Sequence, residues 1–156
     1  MPPNLLNKVA ELTTNHFGDM QRLSTLVRSA KASGADFVKV QARNVETFYS
    51  QKELSLEYKS PFGKTFRDYR NQLELSKDNF KYLDDLCRSL NIKWFASALD
   101  KVSYEFLMTT NCYAIKLPST IIACLFGDGW SKIFSHCPGP TSACFAFTGG
   151  VGWFSL

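Results

Sequence analysis

Ser33-Gly34-Ala35-Asp36-Phe37-Val38-Lys39-Val40-Gln41 is the stretch on which the fold turns. It passes from a helix stop at Gly34 into a strand that begins at Phe37. Three other short apolar runs share its habit of ending at a residue able to do polar chemistry: Val9-Ala10-Glu11, Ile92 to Ser97, and Ala114-Ile115-Lys116-Leu117. Each of the first three strands is followed by loop residues and a helix-like segment, which is the grammar of βα units in a parallel sheet. Working residues of such sheets gather at the carboxyl ends of the strands. Glu11, Lys39, Gln41, Ser97 and Lys116 are therefore expected to share one mouth.

Between the strands, Asp19 is placed to cap a helix running to about Ser33, with Leu23, Leu26, Val27 and Ala30 as its apolar stripe. Residues 42–64 are long for a βα connection, polar and aromatic, and hold the turn Ser60-Pro61-Phe62-Gly63; they are expected to be a partly ordered loop at the mouth. Thr65 to Leu75 reads as helical. Ser76 caps a further helix whose face is Phe80, Leu83, Leu86, Cys87 and Leu90, ending near Asn91, and Asp100 caps a short helix with Tyr104, Phe106 and Leu107, closed at Asn111. This order predicts an α/β fold, either the first half of an eight-fold barrel or most of an open doubly wound sheet.

The composition excludes several classes. With 156 residues, 45% of them hydrophobic, the chain is long enough for one domain with its own core. A net charge of +4 is mild and its basic residues are dispersed, which argues against a nucleic-acid surface. No run approaches the roughly 18 apolar residues of a membrane helix, and Met1 to Lys8 lacks the build of a signal peptide. A cytoplasmic address is the expectation. Five cysteines without CxxC spacing fit reduced thiols, with Cys87 in a helix core and Cys112 in a loop.

Composition breaks near residue 120. Residues 1–120 hold 17 of the 18 Lys and Arg and 13 of the 14 Asp and Glu, leaving Lys132 and Asp128 for the remainder. Residues 121–156 also carry six of the nine glycines, with neither a strand nor a helix period. Two readings compete: a glycine-rich segment packed over the sheet, or non-native sequence from a frame slip or read-through. The second is favoured, because evolved surfaces keep charge. The division is thus 1–120 as a half-barrel and 121–156 as a low-charge tail.

Two lysines at strand ends are the strongest chemical signal. An ammonium in a narrow mouth is costly unless something anionic meets it, and two of them about 7 Å apart repel by roughly 2 kcal/mol at an effective dielectric near 20. A phosphate and a carboxylate on one small molecule would suit Lys39 and Lys116, with the hydroxyls of Ser97 and Ser119 as further donors. The competing reading is that each lysine pairs with a carboxylate such as Glu11. Glu11 is otherwise a group that positions or deprotonates a substrate hydroxyl. Gln41, two residues beyond Lys39, shares its side of the strand and could read sugar hydroxyls. His16, in a loop after the first strand, is a ligand, a general acid or a loop-ordering hydrogen bonder, and the last is the commonest use of a lone histidine. His136 has no sequence neighbour to complete a metal site, and no glycine-rich phosphate loop is present.

Five blocks, AELTTNHFGD (10–19), SGADFVKVQ (33–41), SPFGKTFRDYRNQLELS (60–76), IKWFASALD (92–100) and AIKLPS (114–119), resemble in order and spacing the sialic acid synthase family. The resemblance covers about residues 9–120. It implies a partial (β/α)8 barrel of the TIM type, formed by the first four strands and followed by a divergent tail. It also implies condensation of phosphoenolpyruvate with N-acetylmannosamine or a related N-acetylated amino sugar, with a divalent metal, manganese or magnesium, activating the sugar aldehyde. By the same resemblance Lys39 and Lys116 are the cationic contacts to phosphoenolpyruvate, Ser97 and Ser119 its hydroxyl contacts, Gln41 faces the amino sugar, and Glu11 lies near the reacting sugar. The family's next acidic residue falls near Ile121, and its two metal-binding histidines come later; neither is matched, so the metal ligands are expected to be missing and the chain inactive as it stands. The alternative is a non-catalytic α/β module that binds a small phosphorylated anion or a partner half-barrel, with homo-oligomers left open.

Overall fold

The computed structural model describes residues 7–118 and the backbone of 143–147. Ser119 and His136 lie outside the described residues. The four expected strands are present as β1 (Val9–Thr13), β2 (Phe37–Ala42), β5 (Lys93–Ala98) and β6 (Ala114–Pro118). A short hairpin, β3 (Glu57–Ser60) with β4 (Gly63–Thr65), forms a separate sheet, and β7 (Ala143–Phe147) completes the main one in the order β1-β2-β5-β6-β7. Every pairing in that sheet is parallel. The sequence reading expected 143–147 to lie in a tail without regular structure; its backbone instead extends the sheet beside β6.

Helices α1 (Met20–Ala32), α4 (Phe66–Leu73), α5 (Lys77–Ser89) and α6 (Lys101–Leu107) lie between the strands. Their starts follow from local chemistry. Asp19 accepts from the Gln21 and Arg22 amides, Ser76 from Asn79 and Asp100 from Ser103, each satisfying an amide that the first helical turn cannot. Thr65 and Asp68 form a reciprocal capping box at α4. At the far end of α1 the chain turns through Gly34 at φ +79°, a conformation that disfavours side chains, and enters β2 three residues on.

Residues 42–64 are more ordered than the sequence suggested. They hold two single-turn helices, α2 (Val45–Phe48) and α3 (Gln51–Leu54), and the β3–β4 hairpin. Asn44 caps α2, and a Ser50–Glu53 capping box starts α3. Each of these turns is too short to persist alone, and Val45 and Leu54, buried beneath the segment, hold it down.

The sheet is buried on both faces, as parallel sheets are. Val38, Val40, Ala42, Trp94, Ala96, Ala98, Ile115 and Leu117 point outward and join Leu23, Val27, Phe80, Leu83 and Leu107 of the helices in the main core. The alternate positions of the same strands form the inner face. There Phe37, Phe95 and Ala114 make a second apolar cluster, and Lys39, Gln41, Ser97 and Lys116 fall on the same side by the two-residue period. The arrangement is the α/β fold of a partial (β/α)8 barrel, with helices outside and the chemistry within.

Leu83 is completely buried against the sheet, whereas Leu56 is exposed. Leu83→Ala is expected to lower stability by about 2–5 kcal/mol and Leu56→Ala by less than about 0.5 kcal/mol, as read from urea midpoints.

Candidate functional site

Parallel register brings the predicted residues together in two adjoining rows. Glu11 lies opposite Lys39, and Lys39 opposite Phe95. One step toward the carboxyl ends, Gln41 pairs with Ser97 and Ser97 with Lys116. Five of the six expected site residues therefore share one face, and the sixth, Ser119, is outside the described residues.

Lys39 and Ser97 are buried, at 7% and 5% exposure, which is rare for a lysine without a partner. The partner is Glu11, whose Oε1 accepts from Lys39 Nζ. The ion pair that the sequence left as a competing reading is thus real for Lys39. Lys116 is a different case. Burial is the main influence holding its ammonium below the ordinary lysine range, the charge of Lys39 adds to it, and Glu11 opposes both. The charges of Lys39 and Glu11 thus both reach Lys116, while the Glu11 carboxylate itself is ion-paired with Lys39.

Beside this row lies a polar cluster that the sequence reading did not single out. The Glu74 carboxylate, at the carboxyl end of α4, receives Arg70 Nη2 at 2.9 Å and has Arg43 Nε at 3.9 Å. Arg43 also donates to Tyr49 Oη and lies over the Phe48 ring, 4.5 Å from its centroid. Burial pushes the Glu74 carboxyl above the usual range, while the two guanidiniums and the side chain of Gln41 pull it back. Two signals could have found the cluster: Arg43 continues the alternation from Lys39 and Gln41, and Arg70 and Glu74 stand four apart on one helix.

His16 serves the loop after β1. It is 1% exposed, and its Nδ1 accepts from the Gly18 amide at 3.0 Å. Burial holds its imidazole below the ordinary histidine range, partly offset by a hydrogen bond to the Thr13 backbone. The loop needs fastening, since Thr13, Phe17 and Gly18 all have positive φ. A Cβ on Gly18 would sit 2.4 Å from the Gln72 carbonyl oxygen of α4, so only glycine fits there.

Among the described residues no three His, Cys, Asp or Glu side chains converge on a common point. The one mouth carboxylate, Glu11, is held by Lys39. The described residues therefore do not fit a divalent metal, and the chemistry open to them is that of the two lysines. Burial, with the charge of Asp84 adding to it, pushes the Cys87 thiol up to about 12, and burial raises Cys112 as well, which disfavours the thiolate at both. A cavity of about 360 Å³ near the amino end of β5 is lined by Asp84, Cys87, Trp94, Cys112 and their neighbours, and none of the mouth residues reaches it. No helix among the described residues is long and apolar enough to cross a membrane.

Fold and site together define an α/β barrel protein whose strand ends carry two lysines on one face. The NeuB family model matches residues 26–125, and the chain belongs to the NeuB family. The match runs five residues beyond the composition break. The chain is 34% identical over 113 residues to the N-acetylneuraminate-9-phosphate synthase of Mus musculus, covering 71% of this chain and 32% of that protein. It is 34% identical over 114 residues to the N,N'-diacetyllegionaminic acid synthase of Legionella pneumophila, with the same 71% and 32% coverage. It thus spans about a third of the length of these relatives. In fold it is similar to the N-acetylneuraminic acid (sialic acid) synthetase of Leptospira borgpetersenii, with a TM-score of 0.63 and 22% identity over 78% of this chain and 39% of that one. The sialic acid synthase resemblance carried by the five sequence blocks and the family match agree.

The depressed histidine gives a pH expectation. His16 is neutral when folded, so as pH falls below about 6.5 the unfolded chain takes up a proton that the folded chain resists, and stability declines. The urea midpoint should therefore drop between pH 7.5 and pH 5.5 more steeply in the wild type than in His16→Gln. Parallel slopes would show that His16 does not titrate against the fold.

Proposed function

We propose that the mouth is the phosphoenolpyruvate half of a sialic acid synthase-type site, acting with N-acetylmannosamine or a related N-acetylated amino sugar. What supports this is the placement of Lys39 and Lys116 on one face, where Lys39 is ion-paired with Glu11 and its charge disfavours that of Lys116. An anion bound there turns a repulsion into two attractions, and in a partly buried setting charge-assisted hydrogen bonds are strong. Ser97 lies in register between Gln41 and Lys116 and offers a hydroxyl to the same anion. Gln41 faces the sugar, and Glu11 lies beside the reacting centre.

In the proposed reaction, the enol carbon of phosphoenolpyruvate bonds to the aldehyde carbon of the open-chain sugar, and the aldehyde oxygen takes a proton. Water then adds at the carbon bearing the phosphate, giving up a proton, and cleavage of that C–O bond releases phosphate and leaves a keto acid. The lysines stabilise negative charge at each stage without forming a covalent intermediate. A divalent metal would activate the aldehyde; since the described residues do not fit one, we propose that the 156-residue chain alone binds the anion without turning it over. The reading includes a cytoplasmic setting, in keeping with the free, buried thiols of Cys87 and Cys112, and a non-native origin for the low-charge tail.

A second reading is favoured by one observation: among the described residues β1 pairs only with β2 and stands at the sheet edge. An unpaired parallel edge invites another chain, so in this reading the protein acts instead as a module that docks a partner half-barrel, a second copy included.

Calorimetric titration with phosphoenolpyruvate distinguishes these. Weak binding is expected in the wild type, with Lys39→Ala and Lys116→Ala each at least about tenfold weaker; wild-type affinity in both variants would leave the lysines a structural role. Incubation with phosphoenolpyruvate, N-acetylmannosamine and Mn²⁺ should yield no acid product, and its appearance would refute the claim of inactivity. A dimer mass at micromolar concentration, without anion binding, would favour the docking module.

A further inference from the structure

The strand ends opposite the mouth border a cavity that the proposed chemistry does not use. It measures about 360 Å³ and lies where β5 begins at Lys93 and the chain enters β6 through Tyr113. That volume falls within the range of small-molecule sites. Its walls are apolar. Ile92 and Trp94 are 6% and 3% exposed, Cys87 and Cys112 are buried beside them, and Met108 packs against the same core. Ser97 stands four residues farther along β5 than Lys93, roughly 13 Å at the usual strand rise, so cavity and mouth are separate places.

Three charged side chains line the cavity, and their pairing is unequal. The Asp84 carboxylate is committed: it accepts from Arg88 Nη2 at 2.6 Å and from Trp94 Nε1 at 2.8 Å, with Asn111 Nδ2 at 3.4 Å. Among the described residues no carboxylate pairs with Lys93. Its Nζ lies over two rings instead, 4.3 Å from the centroid of Tyr113, itself a lining residue, and 5.7 Å from that of Phe37. Ring faces attract an ammonium without replacing a charged acceptor, so its donors stay open to one. With Asp84 held by Arg88, the surplus charge of the cavity is positive.

We propose that this cavity is a second binding site, one that takes a small amphipathic carboxylate with a single-ring aromatic body. The ring lies against Ile92, Trp94 and the Met108 thioether, a good partner for a ring edge, and the carboxylate meets Lys93 at the rim. The pairing selects the class. A neutral apolar molecule forgoes Lys93, whereas a compact dianion forgoes the apolar walls and brings charge toward Asp84. No residue of the mouth takes part, so the site stands apart from the phosphoenolpyruvate reading.

The test titrates the ¹⁵N-labelled 156-residue chain with phenylacetate, following the assigned Trp94 indole N–H and Tyr113 backbone amide. Both signals should shift saturably. Phenylacetamide keeps the ring but not the charge and should bind at least about tenfold more weakly, and acetate, which lacks the ring, should leave both signals in place. Lys93 is exposed, so Lys93→Met leaves the core intact; it should weaken phenylacetate by a similar factor and leave phenylacetamide unchanged. Met108→Phe fills the cavity and should abolish the shifts, while phosphoenolpyruvate should not displace phenylacetate from the wild type. Unmoved Trp94 and Tyr113 signals in the wild type overturn the proposal, as do wild-type phenylacetate affinity in Lys93→Met or Met108→Phe, or displacement by phosphoenolpyruvate.

Discussion

Six consecutive parallel pairs between β2 and β5, from Phe37 opposite Lys93 to Ala42 opposite Ala98, are the constraint on which the rest of the molecule depends. Because side chains alternate, this one register sends Val38, Val40, Ala42, Trp94, Ala96 and Ala98 into the helical core. The same register leaves Lys39, Gln41 and Ser97 facing the barrel interior. A slip of one residue would bury two polar side chains among leucines and turn the valines inward. Hydrophobic burial on the outer face thus holds the polar inner face in place.

That inner face carries an electrostatic cost. Lys39 is among the few buried charged residues of the described chain, and it is tolerated because Glu11 meets it across β1 and β2. Lys116 is brought beside the pair by a different strand, so its ammonium is disfavoured both by burial and by its neighbour. A fold optimised for stability alone would place apolar residues here, as it does on the same face with Phe37, Phe95 and Ala114. Local rules broken at a strand end are where function is expected.

The connection from β2 to α5 shows how structure is added to a weak sequence signal. Residues 42–64 read as loop from their polar, aromatic composition, yet the capping box at Ser50 and the buried side chains of Val45 and Leu54 give them two helical turns and a hairpin, ahead of the α4 that the sequence did indicate. Arg67 ties the segment together by donating to Glu46 and Gln51. Local capping was legible at Ser76 and Asp100, where long apolar stripes follow. It was not legible at Ser50, because a four-residue helix has no period to detect.

The sequence by itself determined the strand–helix order, the caps at Asp19, Ser76 and Asp100, the alternation that puts Lys39 and Gln41 on one face, and the family, since all of these are written in near-neighbour spacing. Tertiary structure alone decided that Lys39 takes Glu11 while Lys116 is disfavoured beside it, that His16 is a loop fastener, and that Arg43, Arg70 and Glu74 converge. The residues in these sets come from separate elements, and only strand register and helix packing fix their separation. Charge and hydrogen bonding act through space at a few ångströms, a distance that sequence spacing does not encode.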